Sequence, residues 1–178
     1  MPYLTAAVVL LGAIGLLNLV LTMGIIRRLR EHSQQIGMAC GADGDELPAV
    51  GTTIAEFEAF SIDDLRISRD TLSAPTSIGF FSPNCNPCRE RLPEFIAHAA
   101  VTGRDRTLAV VVGLANDDTQ ELADSLATVA QVVIEQPNGP LSIAFGAVNV
   151  PALYLIDQGG LVKGSGHTMR ALTSLVTA

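Results

Sequence analysis

Hydrophobic and polar positions divide the chain into a long apolar N-terminal stretch, a short polar segment and a longer part with regular patterning. Residues 4–26 contain no charged side chain and would measure about 34 Å as a helix, against ~30 Å for the hydrocarbon core of a bilayer. Arg27, Arg28 and Arg30 follow this stretch. A cleaved signal peptide would carry its basic residues before a shorter apolar run. The pattern therefore predicts an uncleaved transmembrane anchor over residues 1–30, with a cleaved or merely buried helix as the alternative.

The rest of the chain is predicted to be a tether over residues 31–46 and one folded domain over residues 47–178. The tether lacks sustained periodicity and contains the breakers Gly41 and Gly44. In the domain, apolar runs bounded by turn residues predict strands, and longer amphipathic stretches predict helices. The predicted strands cover 76–81, 108–113, 131–135, 152–156 and 161–163; the predicted helices cover 85–100, 116–128, 141–145 and 168–176.

This order of elements is typical of an α/β domain. Strands that alternate with helices favour parallel pairing, whereas the glycines at 159 and 160 predict a hairpin between the last two strands. A mixed central sheet with helices on both faces satisfies both requirements.

Composition excludes one large class of partner. Residues 40–178 carry eight Lys and Arg against 17 Asp and Glu, so the domain has no basic surface of the kind that neutralises phosphates. Nucleic acid is therefore not a predicted partner.

Cys85 and Cys88 carry the candidate chemistry. They fall where a predicted strand ends and a predicted helix begins, so both sulfurs can lie in the first helical turn, within bonding reach. The free N–H groups and the dipole of a helix N-terminus stabilise a thiolate, which is the attacking species. Cys85 is the predicted nucleophile, and Cys88, one turn further in, is the predicted resolving cysteine.

Three neighbouring side chains are predicted to support this pair. Pro87 suits the first turn of a helix because it lacks an N–H that the helix start does not use. Asn86 and Pro87 together tune the redox potential of the pair, and Arg89, with Arg91, can add to the positive field.

Two other interpretations of the cysteine pair compete with redox activity: an inert structural disulfide and half of a metal site. A zinc site needs further Cys or His ligands at matching spacing, and the remaining candidates are scattered: Cys40, His32, His98 and His167. We therefore predict no metal and no cofactor. Cys40 is predicted to be idle or to pair between chains, and His98 and His167 to be structural or loop residues.

Residues 79–95 and 145–157 resemble the thioredoxin superfamily, in particular the membrane-anchored TlpA-like branch that includes the MauD-type proteins. The resemblance is carried by Cys85-Asn86-Pro87-Cys88 after a strand, by Pro93 within the helix and by Val150-Pro151 before the next-to-last strand. It implies a thioredoxin-like fold and thiol-disulfide exchange with protein thiols, commonly as a reductase that receives electrons from a membrane-embedded donor. It also implies that Pro151 is a cis-proline facing the active-site disulfide and that the Val150 backbone docks an extended substrate strand.

Membrane sidedness receives opposite indications. The basic flank after the apolar stretch favours a cytoplasmic domain, whereas the resemblance implies an extracytoplasmic one. We adopt the second as the expectation: a single-pass protein of the cell membrane with its domain outside the cytoplasm.

The chain departs from the family pattern where relatives handle protons. Gly79 stands where thioredoxins have a buried acid, Arg91 stands where some TlpA-like reductases have a glutamate, and Asn84 stands where many relatives have tryptophan. Glu90 and Glu94 are possible substitutes, although solvated helix charges are the simpler interpretation.

Two further functions stay open on the sequence. One is a noncatalytic thioredoxin-like binding or assembly module whose cysteines only staple the fold. The other is a peroxiredoxin-like peroxidase, suggested by Ser82 three residues before Cys85.

Overall fold

The computed structural model describes residues 47–173 and, of the N-terminal stretch, Gly12 alone. The predicted anchor over residues 1–30, the tether over residues 31–46 and Cys40 therefore lie outside the described residues. Within the described part of the chain, no helix combines the length and the apolar character that a membrane crossing requires.

A five-stranded mixed sheet forms the centre of the domain. Its strands are β3 (Thr76–Phe81), β4 (Thr107–Val112), β5 (Gln131–Glu135), β6 (Ala152–Asp157) and β7 (Leu161–Gly166), in the spatial order β5-β4-β3-β6-β7. The pairs β3–β4 and β4–β5 are parallel, and the pairs β3–β6 and β6–β7 are antiparallel. A small separate sheet pairs β1 (Glu58–Phe60) with β2 (Arg66–Ser68).

Within residues 47–173, four α-helices accompany the strands: α1 (Asn86–Thr102), α2 (Asp117–Ala127), α3 (Pro140–Ala144) and α4 (Arg170–Thr173). The two parallel pairs require crossovers, which α1 and α2 supply. Asn116 caps α2, where its side chain accepts a hydrogen bond from the Thr119 N–H at 2.9 Å. The tight turn between β6 and β7 contains Gly159 at φ +68°, a conformation that suits glycine.

The central strands separate two hydrophobic cores because their successive side chains point to opposite faces. On one face, Phe81 of β3 and Ala109 of β4 pack with residues of α1, α2 and α4. On the other face, Phe80 of β3 and Val110 of β4 pack with residues of α3 and of the β1–β2 hairpin. The sheet is therefore covered on both sides, and its central strand β3 is buried along its whole length.

The predicted α/β architecture is confirmed, and most elements begin and end within one or two residues of the predicted limits. β3 and β5 have the predicted limits, and α1 runs to Thr102. The β1–β2 hairpin was not predicted. Each of its strands has only three residues with one buried side chain, Ala59 or Ile67, which is too short for a periodic signal.

The segment before β1 runs along the free edge of β7. The Gly51 N–H donates to the Val162 carbonyl at 2.8 Å, and the Ile54 N–H donates to the Gly160 carbonyl at 3.0 Å. Ile54 is buried beneath this pairing. Backbone pairing over residues 51–54 therefore covers part of the free edge of β7.

Candidate functional site

The junction of β3 and α1 places both cysteines. After β3 ends at Phe81, a turn closes with a 3.3 Å hydrogen bond from the Cys85 N–H to the Ser82 carbonyl, and Cys85 becomes the N-cap of α1. Its Sγ accepts a hydrogen bond from the Cys88 N–H at 3.1 Å. A helix N-terminus thus points a backbone donor at this sulfur, the arrangement that stabilises a thiolate when the pair is reduced.

Cys85 and Cys88 form a disulfide, with Cα atoms 5.2 Å apart. Cys88 is only 3% exposed, whereas Cys85 is intermediate in exposure. A sulfur of a partner protein can reach Cys85 more readily than Cys88, as expected for an attacking and a resolving cysteine.

The loop before β6 lies against the disulfide. The Val150–Pro151 peptide is cis, as the resemblance implies. Cys85 Sγ lies 3.4 Å from the Val150 carbonyl oxygen, across 65 residues of chain. The folded chain thus brings together the two segments to which sequence reasoning assigned the catalytic and the docking roles.

His167 is a site residue that sequence reasoning missed. It lies between the end of β7 and α4, and its Nδ1 is 2.6 Å from the Pro151 carbonyl oxygen. A carbonyl oxygen can only accept, so Nδ1 carries the proton and donates. No spacing signal could reveal this contact because it depends on how β6 and β7 pair.

Gly79 occupies the centre of β3, opposite Ala109 of β4 and Leu153 of β6. A Cβ built at this position would lie 2.6 Å from Phe81 Cε2 and 2.8 Å from Phe95 Cε2. The two rings meet edge to face with centroids 4.9 Å apart, and both are fully buried. Buried aromatic rings thus fill the space in which an acid at this position would lie.

The charged side chains of α1 are mostly solvated. Arg89 is exposed, and its Nη2 donates to the Pro83 carbonyl at 3.1 Å, which places its charge over the loop before Cys85. Arg91 pairs with Glu94 at 3.8 Å, and Glu90 is exposed. Neither glutamate is buried near Cys88, in agreement with the interpretation of both as solvated charges.

The helix start and the approach to it are open to solvent. Asn86 and Pro87 are exposed within the first turn of α1, and Asn84 is exposed in the preceding loop. Because these positions surround Cys85, a partner's backbone can approach the sulfur from this side.

A cavity of about 320 Å³ opens beside Cys88, between the start of α1 and α2. Its apolar wall includes Leu92 and Leu122, and its polar side includes Asp118 and Glu121. The cavity gives the buried cysteine a route toward solvent that passes carboxylate groups.

Two buried polar clusters lie elsewhere on the domain. His98 of α1 is half-buried, with Nε2 at 2.9 Å from Ser77 Oγ and 3.2 Å from Thr102 Oγ1. Burial lowers the pKa of His98 below its ordinary value. Glu135, at the end of β5, caps α3 by accepting the N–H groups of Leu141 at 3.0 Å and Ser142 at 2.8 Å. The polar atoms of both clusters find their partners within the clusters rather than at the cysteine pair.

Among the described residues, no group of three or more His, Cys, Asp or Glu side chains is arranged to hold a metal ion.

Comparison with solved structures defines the fold as thioredoxin-like. A DsbF homologue from Corynebacterium diphtheriae superposes with a TM-score of 0.59 at 13% identity, covering 78% of this chain and 95% of that one. The thioredoxin domain of a thiol-disulfide oxidoreductase from Bacteroides vulgatus gives 0.56 at 14% identity, covering 72% and 96%. The exposed lipoprotein thioredoxin Etrx1 from Streptococcus pneumoniae gives 0.52 at 22% identity, covering 67% and 96%. No protein-family model and no curated protein matches the sequence.

Proposed function

We propose that this protein is a thiol-disulfide oxidoreductase that reduces disulfides of partner proteins through Cys85 and Cys88. The observation that carries the proposal is the geometry of the pair: a partly exposed cysteine at a helix N-cap, bonded to a buried one, with its sulfur 3.4 Å from the carbonyl oxygen of Val150. The solved neighbour from Bacteroides vulgatus, a thiol-disulfide oxidoreductase by name, supports it at the level of the fold.

The reaction divides into two exchanges. The Cys85 thiolate attacks one sulfur of the partner's disulfide, the partner's S–S bond breaks, and one partner thiolate leaves and takes up a proton. The Cys88 thiolate then attacks Cys85 Sγ, which releases the second partner thiol and closes the Cys85–Cys88 disulfide. The partner gains two electrons and the cysteine pair loses two. A dithiol donor returns them by the reverse exchanges.

The proton of Cys88 must leave without an acid at position 79, because Gly79 is packed against aromatic rings. The cavity beside Cys88 offers an alternative route, since it reaches Glu121 and Asp118. Proton release to solvent through this cavity replaces a dedicated buried acid.

The same proposal includes a location and a donor. Residues 1–30 anchor the protein in the cell membrane as a single-pass helix, and the domain lies outside the cytoplasm, as in the TlpA-like and MauD-type proteins that the sequence resembles. A membrane-embedded dithiol protein supplies the electrons. The apolar stretch over residues 4–26 supports the anchor, and the pneumococcal neighbour, an exposed lipoprotein, supports the outward orientation.

A redox titration of the full chain tests the activity. The protein, kept in mild detergent, is equilibrated in thiol buffers of graded potential and quenched with an alkylating agent, and the Cys85 and Cys88 products are weighed by mass spectrometry. A reversible two-electron transition near −270 mV, the value of thioredoxin, supports a reductase, whereas one near −120 mV indicates an oxidant.

A variant with serine at both positions is the matched control, since it keeps the size of the side chains and removes the exchange. A pair that does not cycle would overturn the proposal in favour of a noncatalytic binding module, and a control that still exchanges thiols with a partner would overturn the role of Cys85 and Cys88. Peroxide consumption that depends on Cys85 would instead favour the peroxidase.

A further inference from the structure

We propose that His167 is a positioning residue that holds the Val150–Pro151 loop in place for docking of a protein substrate. This inference rests on the proposed function and deepens it. The observation behind it is the 2.6 Å hydrogen bond from His167 Nδ1 to the carbonyl oxygen of Pro151.

The hydrogen bond from His167 is made to a backbone carbonyl just beyond the end of the β6–β7 pairing. The β6–β7 ladder runs out to the pair Leu153 and Gly166, so on the β7 side of β6 the Pro151 carbonyl lies beyond the last paired residue. Pro151 is buried, and a buried carbonyl without a donor is costly. The side chain of His167 supplies the donor that the strand no longer provides.

The proline ring transmits this constraint to Val150. Because the ring fixes φ of Pro151, ψ of Pro151 is the only rotation between the Pro151 carbonyl and the Val150–Pro151 peptide plane, which contains the Val150 carbonyl. Holding the Pro151 carbonyl therefore leaves one rotation by which the Val150 carbonyl can move, and that carbonyl lies 3.4 Å from Cys85 Sγ. Without His167, the Val150 edge can rotate away from the sulfur that an incoming strand must reach.

The consequence differs between substrates. A protein strand must align with the Val150 backbone while its sulfur meets Cys85, so its reaction depends on the orientation of both groups. A small disulfide such as cystamine needs only access to Cys85. Loss of the His167 hydrogen bond should therefore slow reaction with a protein disulfide and leave reaction with cystamine nearly unchanged.

The test compares two second-order rate constants for the full-length reduced protein in detergent, one with insulin and one with cystamine. Each reaction is quenched with an alkylating agent and followed by the mass of the Cys85–Cys88 peptide. For His167→Ala we expect the insulin rate to fall about tenfold and the cystamine rate to change less than about twofold.

Asparagine provides the rescue, since its amide can donate from nearly the position of Nδ1. His167→Asn should return the insulin rate to within about threefold of the wild type. Ser165→Ala is the matched control. It removes another side-chain hydrogen bond near the end of β7, from Ser165 Oγ to the Pro48 carbonyl at 2.9 Å, and should change neither rate.

Three results would overturn the positioning role: an unchanged insulin rate in His167→Ala, an equal fall with both disulfides, or a failure of asparagine to rescue. In each case, an active wild-type protein would still uphold the proposed function. A wild-type protein that oxidises with neither disulfide would overturn both. If His167→Ala does not fold, the isosteric pair His167→Asn and His167→Asp carries the comparison, because a carboxylate only accepts.

Discussion

Replacement of Gly79 by alanine tests whether the space behind the cysteine pair is truly filled. The new methyl group would lie 2.6 Å from a ring atom of Phe81 and 2.8 Å from a ring atom of Phe95, and both rings are fully buried. Neither ring can rotate into solvent, so each must shift by several tenths of an ångström against the packed core.

The magnitude follows from two opposing effects. Overpacking of a dense core by one carbon typically costs about 1–3 kcal/mol, and two close ring contacts place Gly79→Ala in the upper half of that range. The lower chain entropy of alanine in the unfolded state returns about 0.5–1 kcal/mol. We expect the free energy of unfolding to fall by roughly 1–2.5 kcal/mol.

The assay is urea unfolding of the oxidised protein, followed by far-ultraviolet circular dichroism because the chain has no tryptophan. Gly166→Ala is the control, since its methyl group would meet only the Ala171 Cβ at an ordinary 3.4 Å. Pairing Gly79→Ala with Phe95→Leu should recover about 1 kcal/mol relative to the sum of the single variants.

A loss below about 0.5 kcal/mol for Gly79→Ala would refute the reasoning, because that is the range of substitutions that touch nothing critical. The space would then be adaptable, and an acid at this position could be accommodated after all. A loss in the expected range without recovery in the double variant would mean that the cost arises elsewhere than at the Phe95 ring.

Three further predictions concern single side chains. In a Cys40→Ser background, which removes the third cysteine, Cys88→Ser should accumulate a mixed disulfide between Cys85 and a partner sulfur, visible on a non-reducing gel, whereas Cys85→Ser should give none because the Cys88 sulfur is buried. His98, whose pKa burial lowers from 6.5, takes up its proton more readily in the unfolded chain, so stability should decline as the pH falls below about 6.5. In His98→Gln this part of the pH dependence of unfolding should disappear, and an unaltered profile would contradict the assignment. Glu135→Gln should lower the free energy of unfolding by about 1–3 kcal/mol, measured in urea, because an amide presents only one acceptor to the N–H groups that begin α3; an unchanged midpoint would show that this cap contributes little.

Local pattern accounts for much of the site. The run from Thr76 to Phe81 is apolar enough to predict a buried strand, and the cysteine spacing after it predicts both sulfurs in one helical turn. Burial then distinguishes the half-exposed Cys85 from the buried Cys88, in the order that position along the helix predicted.

Other features depend on residues far apart in the chain. The β1–β2 hairpin gave no periodic signal because each of its strands has only three residues. The hairpin is stabilised by the packing of Ile67, and of Phe57 just before β1, into the hydrophobic core. The close packing of aromatic rings against Gly79 could not be predicted either, since a glycine in a strand does not reveal which side chains approach it.

From the amino-acid sequence one can predict the alternating α/β elements, the acidic character of the domain and the position of the cysteine pair, because each depends on neighbours in the chain. Which groups surround that pair depends on the folded arrangement of distant segments. The approach of Val150 to Cys85 and the hydrogen bond from His167 to Pro151 arise when β6 pairs with β3 and β7. Such contacts join segments many residues apart, and their geometry is set by sheet register and core packing rather than by local propensity.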